Sequence, residues 1–174
     1  MSRDILADYL AGIARIQGTG AGTGEISYYG CLAGALNAIG ATLKPRVFCV
    51  PNLRNRGAGF PDMGLFAGAD VGAVDAWPLG RPPDRGVVEI DDIPAPLDVK
   101  LRSDQVARYL ANYGLVLVTN FRDFVLLGRD AVGRREVREQ FDFGCPTSDA
   151  FFALTHPHES AEPKPLASRY DWPG

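Results

Sequence analysis

Cysteine is scarce in this 174-residue sequence: Cys31, Cys49 and Cys145 are widely spaced, with no Cys-x-x-Cys pair among them. An odd, scattered set excludes a disulfide framework and a zinc ribbon, so all three read as free thiols. Histidine is scarcer still. Both copies fall in His156-Pro157-His158, and without a second pair of ligands at zinc-like spacing this segment reads as tail. No apolar run approaches the roughly eighteen residues that a bilayer crossing needs. The N-terminus MSRDILADYL carries acids where a secretion signal would be apolar, so a soluble, cytoplasmic protein without membrane contact is expected. Positive charge is also in short supply. A net charge of −3 argues against coating nucleic acid by bulk electrostatics, yet it leaves room for a site built from acids. Arg46, Arg54, Arg56, Arg81 and Arg85 are partly grouped.

What is present is enough apolar material, 46% of residues, for one well-packed core. Ile5, Leu6, Tyr9, Leu10, Ile13 and Ile16 recur at helical spacing and predict a first helix over residues 4–16. Tyr29, Leu32, Leu36 and Ile39 predict a second over residues 24–39, with Thr23 as N-cap and Glu25 extending the stripe by one turn. The intervening QGTGAGTG lacks the Gly-Lys-Ser/Thr of a phosphate loop and reads as an interhelical turn. Strands are expected at 47–50, 62–66 and 86–90, with a surface loop over 67–85. A Pro-containing excursion at 91–98 leads to a helix over 103–113 that buries Val106, Tyr109, Leu110 and Tyr113. Residues 115–119 are continuously apolar and predict a central strand covered on both faces. Arg122 and Asp123 read as a hairpin turn and surface pair, followed by strands at 124–127 and within 134–143 and a short helix at 147–154.

This order predicts an α/β fold, a mixed central sheet flanked by helices rather than a doubly wound parallel sheet. Residues 1–155 form the domain, and the Pro-rich 156–174 reads as a tail or linker to further domains.

Two acids stand where surface acids seldom do. Asp62 opens a strand after Gly59-Phe60-Pro61, and Glu89 lies within Val87-Val88-Glu89-Ile90. If their strands are adjacent, the two carboxylates meet at one end of the sheet, and such a pair is stable as anions only beside a cation. A hard divalent ion is the natural partner, since Mg2+ takes one or two carboxylates and keeps water and phosphate oxygens elsewhere. Each residue also has a plainer use. Asp62 alone suits a turn cap, Glu89 an edge strand with one solvated face, Glu25 a first-turn acid, Gln105 an exposed helix position, Tyr109 a core residue and Lys100 a solvated side chain.

Pro61-Asp62 followed by a hydrophobic strand ending in Glu89-Ile90 resembles the PD-(D/E)xK motif of restriction-endonuclease-like nucleases. Glu25 resembles the additional helix-borne acid of many members. Gln105-Val-Ala-Arg-Tyr109 resembles the Gln-x-x-x-Tyr signature of the RecB-like branch, whose Gln and Tyr flank the site. The wider text, from YLAGIARI through GAGFPDMGLF and GVVEI to SDQVARYLANYGLVLVTNFRDFVLLG, resembles the N-terminal nuclease region of large restriction-modification proteins that carry an N6-adenine methyltransferase. The resemblance implies a three-layer sandwich and a Mg2+-dependent endodeoxyribonuclease, with Mn2+ as a substitute ion. Double-stranded DNA is then the substrate in a phage-defence setting, with covalently linked methyltransferase and target-recognition domains as partners. It further implies that Asp62, Glu89 and the Ile90 carbonyl hold the metal while Glu25, Gln105 and Tyr109 assist.

The sequence departs from the motif at one position. Asp91 stands where the class has lysine, whose loss costs much of the rate because it positions the nucleophilic water and offsets charge. Three readings follow. The cation has migrated to Lys100, Arg54 or Arg56; or Asp91 is an extra ligand of a two-metal site; or this copy is inactive, by drift or an engineered substitution, and serves DNA binding or domain scaffolding. A nucleotide-binding module on the glycine-rich turn is a lower-ranked alternative.

Overall fold

The side chain of Asp4 accepts a hydrogen bond from the Ala7 N–H (3.1 Å) and so starts helix α1, Ile5–Gly18, in the computed structural model of the chain. The structure describes residues 4–55, 57–68 and 80–155. The proposed linker and His156-Pro157-His158 lie outside the described residues, as do Arg56 and most of the expected 67–85 loop. Within the part of that loop that is described, the Asp84 carboxylate accepts from the Ala67 N–H at 2.8 Å and is paired with Arg81.

The second helical segment differs from expectation. Gly24–Tyr28 is a 3-10 turn, and only Tyr29–Gly40 is α-helix (α2). Gly24 takes a φ of 69°, outside the right-handed helical region, so no regular first turn starts there. Thr23 makes no side-chain cap; its N–H instead donates to Ser27 Oγ at 2.8 Å.

Six strands follow: β1 Val47–Pro51, β2 Met63–Ala67, β3 Val87–Ile90, β4 Val116–Thr119, β5 Asp123–Arg129 and β6 Arg135–Asp142. They lie in the sheet in chain order, every pairing antiparallel except β3 with β4. A parallel pair needs a crossover, supplied here by two helices, α3 Leu97–Leu101 and α4 Asp104–Tyr113. The periodic stripe predicts α4, which Ser103 starts by accepting from the Val106 N–H; α3 has too few residues to show a period, and its first residues fall in the expected excursion over 91–98. Helix α5, Ser148–Thr155, ends the described chain.

Strand alternation divides the core in two. Val88, Ile90 and Met63 pack with Tyr9, Leu10 and Ile13 of α1, Tyr29 and Leu32 of α2 and Phe151 of α5. Val87, Val116, Val118, Val125 and Leu127 face the other way, onto Val106, Tyr109 and Leu110 of α4. Helices therefore cover both faces of a mixed sheet, as the sequence predicts. Among the described residues no helix is long and apolar enough to cross a membrane.

Arg122 corrects a second expectation. It is buried rather than a surface partner of Asp123: Nε donates to the Ile93 carbonyl (3.0 Å) and Nη1 to the Cys145 carbonyl (2.9 Å), with Asp123 at 3.5 Å. These bonds tie the loop after β3 to the segment after β6. The turn is kept tight by Asn120 Oδ1, which accepts from the Asp123 N–H at 2.8 Å, while Phe121 at φ 70° is fully buried.

Candidate active site

Met63 of β2 pairs with Val88 of β3, so the residue before Met63 comes level with the residue after Val88. That register brings Asp62 beside Glu89, and Asp62 Oδ2 accepts the Ile90 N–H at 2.8 Å. Its Oδ1 accepts the Tyr29 hydroxyl of α2 at 2.6 Å. The same hydroxyl is 3.3 Å from Glu25 Oε1, so the 3-10 turn is joined to the sheet end through Tyr29. Pro61 is buried and Gly59 has a φ of 119°, with its α-carbon packed against the Tyr109 hydroxyl. A side chain at Gly59 would crowd the Tyr109 ring and be strained at this φ, so glycine suits the loop that leads into Asp62.

Glu89 is 3% exposed, on an interior strand covered on both faces, which removes the solvated-edge explanation for it. It pairs with Val118 and so shares the α3/α4 face. From α3, Lys100 Nζ reaches Glu89 Oε1 at 3.3 Å and Asp91 Oδ2 at 3.9 Å. Glu89 Oε2 is buried with no hydrogen-bond partner. Gln105 Nε2 donates to the Tyr109 hydroxyl at 3.0 Å, and Tyr109 is fully buried. Arg54 is exposed. Of Arg54 and Lys100, the two described candidates for the motif lysine's charge, Lys100 is the one that reaches Glu89.

The charges of these groups act on one another. Burial pushes the Glu89 carboxyl up to about 7; the negative charge of Asp62 adds to this, Lys100 opposes it and Glu25 adds a little more. Glu25 is raised as well, by burial and then by Asp62. Burial alone would lower the Lys100 ammonium, but Glu89, Asp91 and Glu25 together hold it above its usual value. Tyr109 is raised by burial, with the Glu89 and Asp62 charges adding to the effect.

The architecture has a solved counterpart. A cryoEM structure of a DrdV–DNA complex is similar with a TM-score of 0.56 and 16% identity, over 87% of this chain and 13% of that chain. The fold is restriction-endonuclease-like. The chain thus spans a small part of the solved protein's length, and at this identity the likeness concerns the fold alone. No protein-family model matches the chain, and no curated protein matches it.

Among the described residues no group of three or more His, Cys, Asp or Glu side chains forms a ready metal cage. The donor set is smaller and entirely oxygen: Asp62 and Glu89 on adjacent strands. The unpartnered Glu89 Oε2 is the observation that fits a cation, because a buried carboxylate oxygen left without a donor is costly. A hard ion that keeps most of its water suits two carboxylates.

Tyr29 escaped the sequence reading. Its position four residues after Glu25 suggested only an apolar stripe, and nothing local separates a core tyrosine from one whose hydroxyl meets an acid 33 positions on.

The raised Glu89 has a consequence for metal-free stability. Its folded value lies above the unfolded 4.5, so the protonated carboxyl stabilises the fold below that pH, and the contribution is lost as pH rises through about 7. In EDTA, stability should fall by on the order of 3 kcal/mol between about pH 4.5 and about pH 7.5. Glu89→Gln should flatten most of this slope, leaving a residue from Glu25. Urea unfolding across that range checks it; equal slopes in the two proteins would reject the assignment.

Proposed function

We propose that this chain is a Mg2+-dependent DNA endonuclease domain, in which Lys100 takes the place of the lysine missing beside Glu89. The reading is carried by the Lys100 ammonium at 3.3 Å from Glu89, which restores the Asp, Glu and Lys composition of the motif from a different element. Asp62 and Glu89 would hold the ion, with the Ile90 carbonyl as a further ligand. When bound, such an ion supplies Lewis-acid polarisation of a phosphoryl oxygen and lowers the pKa of water. Mn2+ would serve in its place.

Hydrolysis forms one phosphorus–oxygen bond from water and breaks the bond to one sugar oxygen; the water gives up a proton to solvent and the leaving oxygen takes one up. The carboxylates around Lys100 keep it protonated, so it is suited to donate rather than to accept a proton. It would orient the attacking water and offset charge on the phosphoryl oxygens. Asp91, weighed as a second-metal ligand, is within 3.9 Å of Lys100, and we assign it to hold the ammonium. Glu25 would act through Tyr29, while Gln105 and Tyr109 support the face beneath Glu89.

Double-stranded DNA is the proposed substrate, in line with the DNA of the DrdV complex. The restriction-modification setting, with methyltransferase and recognition domains on a longer chain, is proposed from the sequence resemblance. A second reading, an inactive domain that binds DNA or braces its neighbours, is favoured by Asp91 in the lysine position.

Supercoiled plasmid separates the two. Nicking or linearisation is expected with Mg2+ or Mn2+ and none in EDTA. Equal cleavage in EDTA would reject the metal reading, and binding without cleavage in either metal would select the inactive domain.

A further inference from the structure

Tyr29 is buried at 7% exposure, its ring packed in the core between α2 and the sheet, yet its hydroxyl lies among carboxylates. A phenol has one proton to give, and the shorter contact, 2.6 Å to Asp62 against 3.3 Å to Glu25, identifies the acceptor. A phenol ordinarily ionises only near about pH 10, so the hydroxyl is a donor at neutral pH. The other Asp62 oxygen is fixed by the Ile90 N–H at 2.8 Å. Two donors from different elements, α2 and β3, therefore fix both ends of one carboxylate. Each oxygen has two lone-pair sites, so one on each remains for a cation.

We propose that Tyr29 is a positioning residue for the metal-binding carboxylate: its hydroxyl holds Asp62 and thereby sets the affinity of the site for a divalent cation. This inference rests on the metal reading of the site. Outer partners of metal ligands change affinity or activity by about ten- to a hundredfold when removed, because an unheld ligand must be ordered as the ion binds.

The test is direct Mn2+ binding to the full chain without DNA, followed by the paramagnetic resonance signal of free Mn2+. Tyr29→Phe should bind about ten- to a hundredfold more weakly than wild type, while Asp62→Ala binds more weakly still. Tyr9→Phe is the control. Its hydroxyl is buried and donates at 2.7 Å to the Phe121 carbonyl, so it loses a hydrogen bond away from the carboxylates. Both phenylalanine variants should lose thermal stability, and only Tyr29→Phe should lose Mn2+ affinity. In cleavage assays the half-saturating Mg2+ concentration should rise by the same factor. Wild-type affinity in Tyr29→Phe, or an equal loss in Tyr9→Phe, would overturn the inference while the metal reading stands. No Mn2+ binding by wild type would overturn the metal reading and this inference with it.

Discussion

Asp62→Ala should lower Mg2+-dependent plasmid cleavage by about a thousandfold or more, because removing a ligand costs more than the ten- to hundredfold of an outer partner. The chain should still fold. Asp62 is half-buried at the entry to β2, and Met63, Phe66 and the pairing of β2 with β1 and β3 do not depend on its side chain. The substitution strands the Ile90 N–H, which now donates to Asp62, and leaves the Tyr29 hydroxyl only the longer contact to Glu25. Buried donors left unpaired cost about 1–3 kcal/mol, so Tm should fall as well. Asp62→Asn separates the two effects. The amide oxygen can still accept from one donor, so stability should return towards wild type while cleavage, which needs the charge, remains lost. Cleavage by Asp62→Ala equal to wild type would reject the metal assignment, whatever the stability.

The elements that positioned this acid were legible because they rest on local signals. Helix α4 shows its stripe in Val106, Tyr109 and Leu110, and β3 and β4 are short apolar runs that a two-sided core demands. The juxtaposition of Asp62 with Glu89 was legible only as a condition on strand adjacency, which the antiparallel β2–β3 register meets. What escaped depends on packing between distant segments. Arg122 looked like a turn residue, and only the approach of Ile93 and Cys145 gives its guanidinium two carbonyls to satisfy. Tyr29 looked like core, which it is; the hydroxyl at the end of its ring is what reaches the site. Lys100 could be named as a substitute cation but not preferred over Arg54, because the preference comes from α3, a helix too short to leave a periodic trace.

Lys100→Ala provides the sharpest division between the catalytic and the scaffolding readings. Loss of a single charge-stabilising donor typically costs about a hundred- to a thousandfold in rate, and a fall of that size in kcat is expected here. The metal dependence should move differently from that of Asp62→Ala. Lys100 now neutralises Glu89 at 3.3 Å, so its removal leaves a buried carboxyl with more need of a cation, and half-saturating Mg2+ should fall or hold while kcat drops. Lys100→Arg should rescue poorly, since a broad planar fork cannot replace a compact ammonium held between Glu89 and Asp91. The decisive step is Asp91→Lys in the Lys100→Ala background. It returns an ammonium to the position two residues after Glu89 where the motif carries it, and cleavage should recover by at least about tenfold if a cation near Glu89 is what catalysis requires. Recovery would show that α3 and the end of β3 are interchangeable platforms for the same charge. A Lys100→Ala protein that cleaves at the wild-type rate would instead remove the lysine from the mechanism and return Lys100 to a structural partner of Glu89.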